Sequence, residues 1–205
     1  RRREGMGLMD VDTMRRAVLP SPERLAELNR RLEAEAVHPQ QIMAAVAARF
    51  APRAAISCSF GGTGVILAWL AAKITPRLPI WFIDTDLLFP ETVWLRHRYE
   101  QELSLDIRTV RSELTLARQA EMYGSELWTR DPDGCCLLRK VEPEQRLLLS
   151  VDAWISGLRR DQGPTRAAVD ILELHRLPNG HSLLKVNPLA HWSRAQASRY
   201  IQEHE

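Results

Sequence analysis

The chain has 205 residues, of which 45% are apolar and 26% are charged, and its formal net charge is +2. These values are ordinary for one globular domain and argue against a general nucleic-acid binder, and no stretch approaches the ~20 apolar residues that span a membrane. No apolar segment follows the arginines at the start of the sequence, so we expect no signal peptide and a cytoplasmic protein.

The cationic residues are unusual in kind, because only three of the 28 are lysines and the others are arginines. A guanidinium makes two parallel hydrogen bonds to phosphate or sulfate, so an arginine-rich chain suits such ligands. The three cysteines cannot all pair, and in a cytosolic chain they favour metal or redox chemistry over structural disulfides.

The first fifty residues predict a helical segment. Residues 1–20 are polar and weakly periodic, and we expect them to be flexible. Ser21-Pro22-Glu23 is typical of a helix cap with proline in the first turn, and leucines follow at helical spacing. A second helix is predicted over His38–Phe50.

From residue 50 onward, short apolar runs alternate with helical patterns, which is typical of βαβ units. Strands are predicted at Ala54–Phe60, Leu78–Asp84, Leu105–Val110, Val151–Gly157 and Ser182–Val186, and helices near residues 64–73, 90–103, 113–123 and 138–148. Right-handed crossovers then give a doubly wound, mostly parallel α/β sheet within one domain over residues 21–205. Ligands of such sheets bind beyond the carboxyl ends of the strands.

The segment Ser59–Gly64 joins the first of these strands to a helix and contains three glycines. Exposed N–H groups at the start of a helix can cradle an anion, and glycine lets a phosphate oxygen approach them. The candidate binding residues are Ser59, Phe60, Gly61, Gly62 and Thr63. A simple tight turn is an equally good interpretation of this segment, because it matches neither GxGxxG nor a Walker loop.

A second candidate segment, Asp84–Thr92, ends the next strand and starts a helix with proline and glutamate. Asp84, Thr85 and Leu87 could contact a ribose or an adenine edge. Helix capping with turn chemistry explains the same residues about as well.

The third candidate segment, Gly157–Arg166, is a loop with three arginines after a predicted strand. A solvated charged loop is the usual explanation of such a run. Its position at the carboxyl edge of the sheet favours anion binding instead. The candidate binding residues are Gly157, Arg159, Arg160, Gln162 and Arg166.

Cys135 and Cys136 are adjacent, and a cationic pair that includes Lys140 follows them closely. Neighbouring cysteines form a disulfide only through a strained ring, so thiolate chemistry at a metal or in redox exchange explains them better. Lys140 could be an ordinary surface cation, but its closeness to the two cysteines favours electrostatic support as its role. The remaining cysteine, Cys58, lies in an apolar run and is predicted to be a small buried residue.

The order of these segments resembles the phosphoadenylyl-sulfate/adenylyl-sulfate reductase family over roughly residues 50–205. Family members carry a Ser-Phe-Ser/Gly loop, an Asp-Thr-Gly-x-x-x-Pro-Glu-Thr segment and a Gly-Leu-Arg-Arg-Asp-Gln-x-x-Thr-Arg loop. Here the matching segments begin at Ser59, Asp84 and Gly157, and Lys185–Trp192 resembles a further family segment. Cys-Cys-x-x-Arg-Lys-Val from Cys135 is similar to the branch of the family that uses adenylyl sulfate.

The resemblance implies the Rossmann-like fold of adenine-nucleotide alpha hydrolases and a role in assimilatory sulfate reduction for cysteine biosynthesis. It also implies a [4Fe–4S] cluster in the intact protein, with Cys135 and Cys136 as two ligands and a downstream Cys-x-x-Cys as the others. In the family mechanism, a thiolate of a terminal Glu-Cys-Gly-Leu-His segment attacks the sulfate sulfur and expels AMP. Thioredoxin or glutaredoxin then releases sulfite.

The chain departs from the family pattern in several places. Neither Cys-x-x-Cys nor Glu-Cys-Gly-Leu-His occurs in it, so we expect these 205 residues to lack the nucleophile, the activity and a complete cluster. Gly64 stands where the family often has an acidic residue, and Asp86 where it usually has glycine.

The alternative functions are a phosphoadenylyl-sulfate reductase, an enzyme that cleaves ATP between its α- and β-phosphates, and a nucleotide-binding remnant without catalysis. We expect neither nucleic acid nor a membrane as a partner. Association into a homo-oligomer is left open.

Overall fold

A six-stranded sheet lies at the centre of the computed structural model, which describes residues 18–74 and 77–204. The strands are Ala54–Ser57 (β1), Ile80–Asp84 (β2), Ile107–Arg111 (β3), Ala153–Ile155 (β4), Leu172–Arg176 (β5) and Ser182–Val186 (β6). Their spatial order is β3-β2-β1-β4-β6-β5, and every neighbouring pair is parallel except β5–β6. The predicted doubly wound, mostly parallel α/β fold is therefore confirmed.

Helices connect and cover the strands. They are Pro22–Ala34 (α1), Pro39–Phe50 (α2), Gly62–Ala71 (α3), Pro90–Glu102 (α4), Leu116–Tyr123 (α5), Leu127–Arg130 (α6), Pro132–Cys136 (α7), Glu142–Leu148 (α8) and Arg194–His204 (α9). A π-helical turn at Leu137–Val141 joins α7 to α8, and two 3₁₀ turns cover Arg160–Gln162 and Pro164–Arg166. None of the helices in the described part of the chain is long and apolar enough to cross a membrane.

Both predicted N-terminal helices are present, and the first has the cap that the sequence indicated. The Ser21 hydroxyl accepts a hydrogen bond from the Arg24 N–H at 3.3 Å. His38 and Gln41 form a reciprocal capping box at the start of α2, so that helix begins one residue after the predicted boundary. Of the predicted flexible segment, residues 1–17 lie outside the described residues.

The predicted strands were too long at the edge of the sheet where the candidate segments begin. β1 ends at Ser57 rather than Phe60, and β4 ends at Ile155 rather than Gly157. After β1 the chain turns away from the sheet, with Phe60 in the left-handed region at φ 52°. The apolar character of these residues reflects burial beyond the strand end, because Cys58 and Phe60 are only 6% and 4% exposed.

The sequence prediction missed β5 and the helices α6, α7 and α9. β5 reads Leu-Glu-Leu-His-Arg, and it is an edge strand that pairs only with β6, in antiparallel register. One face of such a strand can remain solvated, so polar residues interrupt its apolar pattern. Its sequence therefore lacks the short continuous apolar run that predicts a strand.

A partly buried ion pair joins the residues that precede the two central strands. The Arg53 guanidinium donates two hydrogen bonds to the Asp152 carboxylate, at 2.9 and 3.1 Å. The Asp152 side chain is 4% exposed, and β1 and β4 begin directly after this contact. The pair therefore helps to set the register of the strands that carry the candidate site.

Arg53→Ala is expected to lower the free energy of unfolding by about 1.5–3 kcal/mol, because a buried carboxylate loses its charged hydrogen-bond donor. Arg108→Ala is a matched control, since Arg108 makes the same two-bond contact with Asp106 on the surface. Its cost should be about 0–1 kcal/mol. Urea unfolding of both variants measures the difference, and equal losses would contradict a structural role for the buried pair.

Candidate functional site

A cavity of about 470 Å³ opens beyond the carboxyl ends of β1 and β4. β1 pairs with β2 on one side and with β4 on the other, so the crossover direction reverses between β1 and β4. Loops diverge at such a switch point and leave a crevice, which is where doubly wound proteins bind ligands. All three candidate segments contribute to its lining, through Ser59, Thr63, Thr85, Gly157, Gln162 and Arg166.

The first wall of the cavity is the turn between β1 and α3. Gly61 caps α3 without a side-chain hydrogen bond, so the N–H groups of its first turn are not capped by a side chain. Gly62, at the first position of that helix, is exposed. The Phe60 side chain points away into the core, where its ring lies 5.6 Å from the ring of Phe82. The turn thus presents backbone donors, while Phe60 anchors it.

The close contact with Cys58 explains why residue 64 is glycine. A Cβ atom at position 64 would lie 2.9 Å from the Cys58 sulfur, which is closer than real Cβ contacts. Burial raises the pKa of the Cys58 thiol to about 12, so this residue is a neutral part of the cavity floor. The departure from an acidic residue at position 64 follows from the space that the cysteine occupies.

The opposite wall is the loop after β4. A Cβ atom on Gly157 would lie 2.9 Å from the Thr63 hydroxyl, so glycine permits this loop to approach α3 closely. Arg166 donates to the Gln162 side-chain oxygen at 2.5 Å, and both residues line the cavity. Arg166 is exposed, which leaves its positive charge at the cavity wall.

The other two arginines of this loop are engaged elsewhere. Arg159 is 9% exposed, and its guanidinium contacts the Asp161 carboxylate at 2.8 and 2.9 Å. Arg160 pairs with Glu33 of α1 at 2.5 Å and donates to the Val169 carbonyl at 2.7 Å. Neither lines the cavity, although both were predicted to contact a ligand together with Arg166.

Ion pairs hold the segment after β2 in place. The Asp84 carboxylate is 7% exposed and lies 2.5 Å from the Arg111 guanidinium, and it raises the pKa of Arg111. The same carboxylate accepts a hydrogen bond from the Asp86 N–H at 2.9 Å. Thr85 lines the cavity, whereas Asp84 and Leu87 do not. Asp84 therefore shapes the loop that presents Thr85.

Asp86 occupies the left-handed region at φ 58°, where glycine is favoured and aspartate is among the tolerated residues. This conformation accounts for the glycine that the family usually has here. The Asp86 carboxylate pairs with Arg139, whose side chain is 1% exposed. Arg139 also donates to the carbonyls of Thr85, at 2.5 Å, and Leu114, at 3.0 Å.

The cysteine pair lies on α7, a few residues before Arg139 in the chain. Cys135 is 5% exposed, and its sulfur lies 3.8 Å from the Gln119 amide nitrogen, while Cys136 is exposed. Gln119 in turn accepts a hydrogen bond from Arg139 at 3.2 Å. The π-helical turn that follows brings Lys140, for which we expect an electrostatic role, to the wall of the cavity.

The cysteines of this chain do not by themselves fit a four-thiolate cluster. Cys58 contacts the Phe60 N–H and the Gly64 carbonyl within its own turn, each at 3.3 Å. Only Cys135 and Cys136 are adjacent, and a [4Fe–4S] cluster takes four ligands. Within residues 18–74 and 77–204, no three His, Cys, Asp or Glu side chains are grouped to hold a metal ion.

The sequence prediction missed several residues of the cavity, of which Ser57, Glu144, Trp154 and Ser156 are polar or aromatic. The Trp154 indole donates to the Ser57 hydroxyl at 2.8 Å, and Ser156 donates to the Asn187 side chain at 2.7 Å. Glu144 follows Lys140 by four residues, and residues at this spacing lie on the same face of a helix. That spacing was the available sequence signal for Glu144.

The chain is similar in sequence to known proteins over most of its length. The phosphoadenosine phosphosulfate reductase domain family matches residues 53–205. The chain is 38% identical to adenosine 5'-phosphosulfate reductase of Salinibacter ruber, over 90% of this chain and 71% of that protein. It is 41% identical to the enzyme of the same name from Halalkalibacterium halodurans, over 73% of this chain and 64% of that protein.

A solved structure is also similar. The crystal structure of phosphoadenylyl-sulfate (PAPS) reductase from Candida auris, a phosphate complex, superposes with a TM-score of 0.76 and 28% identity, covering 91% of this chain and 88% of that one. The chain spans about two thirds of the length of the curated relatives that it matches. With a family match over most of its length, the chain belongs to the phosphoadenosine phosphosulfate reductase domain family.

Proposed function

We propose that this chain binds adenylyl sulfate in the cavity and is the nucleotide-binding part of a reductase that converts adenylyl sulfate to sulfite and AMP. The observation that carries the proposal is the convergence of the three candidate segments at the β1–β4 switch point. Names of relatives at 38% and 41% identity support adenylyl sulfate as the substrate. Reduction of this compound belongs to sulfate assimilation.

Two kinds of group in the cavity suit a phosphosulfate. The uncapped start of α3, with Ser59 and Thr63, provides neutral donors and the positive end of a helix dipole. Lys140 and Arg166 add two cations on other walls. Together they would neutralise the two negative charges of adenylyl sulfate and orient its sulfur atom.

The chemistry requires a thiolate nucleophile and a dithiol reductant. The thiolate would attack sulfur, the bond between sulfur and the AMP oxygen would break, and AMP would leave as an anion that Lys140 and Arg166 stabilise. Two electrons from a dithiol protein such as thioredoxin or glutaredoxin would then cleave the enzyme S-sulfonate, releasing sulfite and an oxidised disulfide. By analogy with the family, Cys135 and Cys136 would ligate a [4Fe–4S] cluster together with a second cysteine pair.

Arg166→Ala is expected to weaken binding of adenylyl sulfate by about 1.5–3 kcal/mol, because a charge-assisted contact with the anion is lost. Arg159→Ala should have a smaller effect, since its guanidinium is held by Asp161. Titration calorimetry measures both, with Arg176→Ala, an exposed residue of β5, as the control. Unchanged affinity in both loop variants would remove this loop from the site.

Adenylyl sulfate is expected to bind more tightly than its 3'-phosphorylated form. A third phosphate-type group needs a further cation, and Arg159 and Arg160 already pair with carboxylates. Competitive calorimetry with the two nucleotides tests this preference, with AMP as the shared reference ligand. Tighter binding of the phosphorylated form would favour the alternative function, phosphoadenylyl-sulfate reduction.

A polypeptide of these 205 residues, purified without oxygen, is expected to hold no stoichiometric [4Fe–4S] cluster, because its paired thiolates supply half of the ligands. Iron and sulfide analysis with visible absorption checks this. A version extended by a second cysteine pair should bind the cluster and lose it on Cys135→Ser, whereas Cys58→Ser is the matched control. A full cluster in the 205-residue form would contradict the assignment.

A further inference from the structure

A carboxyl group stands in the wall of a cavity that is otherwise arranged for anions. Glu144 lines the cavity together with Lys140, Arg166, Ser59 and Thr63. An ionised carboxylate at that place would repel a ligand with two negative charges, and the repulsion is large where protein replaces water. The site must therefore either tolerate this cost or neutralise the carboxyl group.

Lys140 and Ser57 are two of the groups that act on the Glu144 carboxyl group. On its own helical segment, Lys140 lies one turn earlier, and both side chains reach the cavity. From β1, the Ser57 hydroxyl hydrogen-bonds to the Glu144 carboxyl group and accepts from the Trp154 indole. Cys58 of the same turn is neutral.

A second cation, Lys185 of β6, attracts the Glu144 carboxylate. Lys185 of β6 lies 5.3 Å from the Trp154 ring and pairs with Glu173 of β5 at 3.3 Å. The His175 ring packs 5.4 Å from the Trp154 ring, and burial, with Lys185, lowers the pKa of His175. Arg166 stands on another wall. Burial outweighs the attraction of Lys140 and Lys185, so the pKa of Glu144 is raised.

We propose that Glu144 is a specificity-determining residue that takes up a proton from solvent when a dianionic adenine nucleotide enters the cavity. This inference rests on the proposed function of the same site. The neutral carboxylic acid removes the repulsion and offers an O–H donor to a ligand oxygen. The cavity thereby couples the charge of its ligand to the protonation of one side chain, and affinity falls as the pH rises.

The direct test is calorimetric titration of the unaltered chain with adenylyl sulfate near neutral pH, in two buffers with different ionisation enthalpies. The difference in heat gives the number of protons taken up, which should be a fraction of one proton. Glu144→Gln should abolish the uptake. Glu142→Gln should retain it, because Glu142 is an exposed residue outside the cavity lining.

The pH dependence of affinity supplies a second readout. Affinity of the unaltered chain should fall by up to about tenfold per pH unit above the pKa of the unliganded carboxyl group. Glu144→Gln should flatten this dependence, and Glu144→Asp, which keeps a titrating group, should restore it with a shifted midpoint. Adenosine, a neutral probe, should bind without proton uptake.

Stability separates this titration from a folding defect. Because the folded pKa of Glu144 is raised, its contribution to stability is complete below the unfolded pKa and is lost as the pH rises through the folded value. The stability of Glu144→Gln relative to the unaltered chain should therefore increase as the pH is raised from about 4 to about 7. Urea unfolding at both pH values measures the gain.

The outcomes distinguish the two levels of the proposal. Binding of adenylyl sulfate without proton uptake, or with uptake that persists in Glu144→Gln, overturns the role of Glu144 and leaves the proposed function intact. No binding of adenylyl sulfate by the unaltered, folded chain overturns both.

Discussion

The adjacency of β1 and β4 is the constraint on which the rest of the molecule depends. These two parallel strands meet where the crossover direction reverses, and the loops that leave them must diverge. The buried contact between Arg53 and Asp152 holds the approach to both strands. Divergence of the loops creates the cavity, and close approach of Gly157 to Thr63 limits its width.

A second constraint is the buried guanidinium of Arg139, which joins three parts of the site. It donates to Thr85 in the loop after β2, to Leu114 before α5, and to Gln119 beside Cys135. A charge with 1% exposure is stable only when its donors are satisfied. Of these three acceptors, only the Gln119 side chain can be removed by a substitution, because Thr85 and Leu114 accept through their backbone carbonyls. The Asp86 carboxylate meets part of this requirement, because it pairs with the Arg139 guanidinium.

The cavity carries less positive charge than the number of arginines around it suggests. Four of the cationic side chains around the loops are committed to carboxylates: Arg111, Arg139, Arg159 and Arg160. Lys140 and Arg166 line the cavity, and Glu144 opposes them. A site with two cations and one titratable acid responds to the charge of its ligand, whereas a purely cationic pocket would bind any polyanion.

The sequence by itself determined the α/β class, the helical N-terminal segment, four of the five predicted strand positions to within three residues at each end, and β6 to the residue. These features follow from periodicity and from the fixed hand of crossovers, which are local or nearly local properties. Motif order also identified the segments at the cavity. The tertiary structure decided which arginines pair with distant carboxylates, the direction of β5 and the place of Glu144, because each depends on partners far away in the chain. Arg160 and Glu33, 127 residues apart, show why: no local pattern records such a pairing.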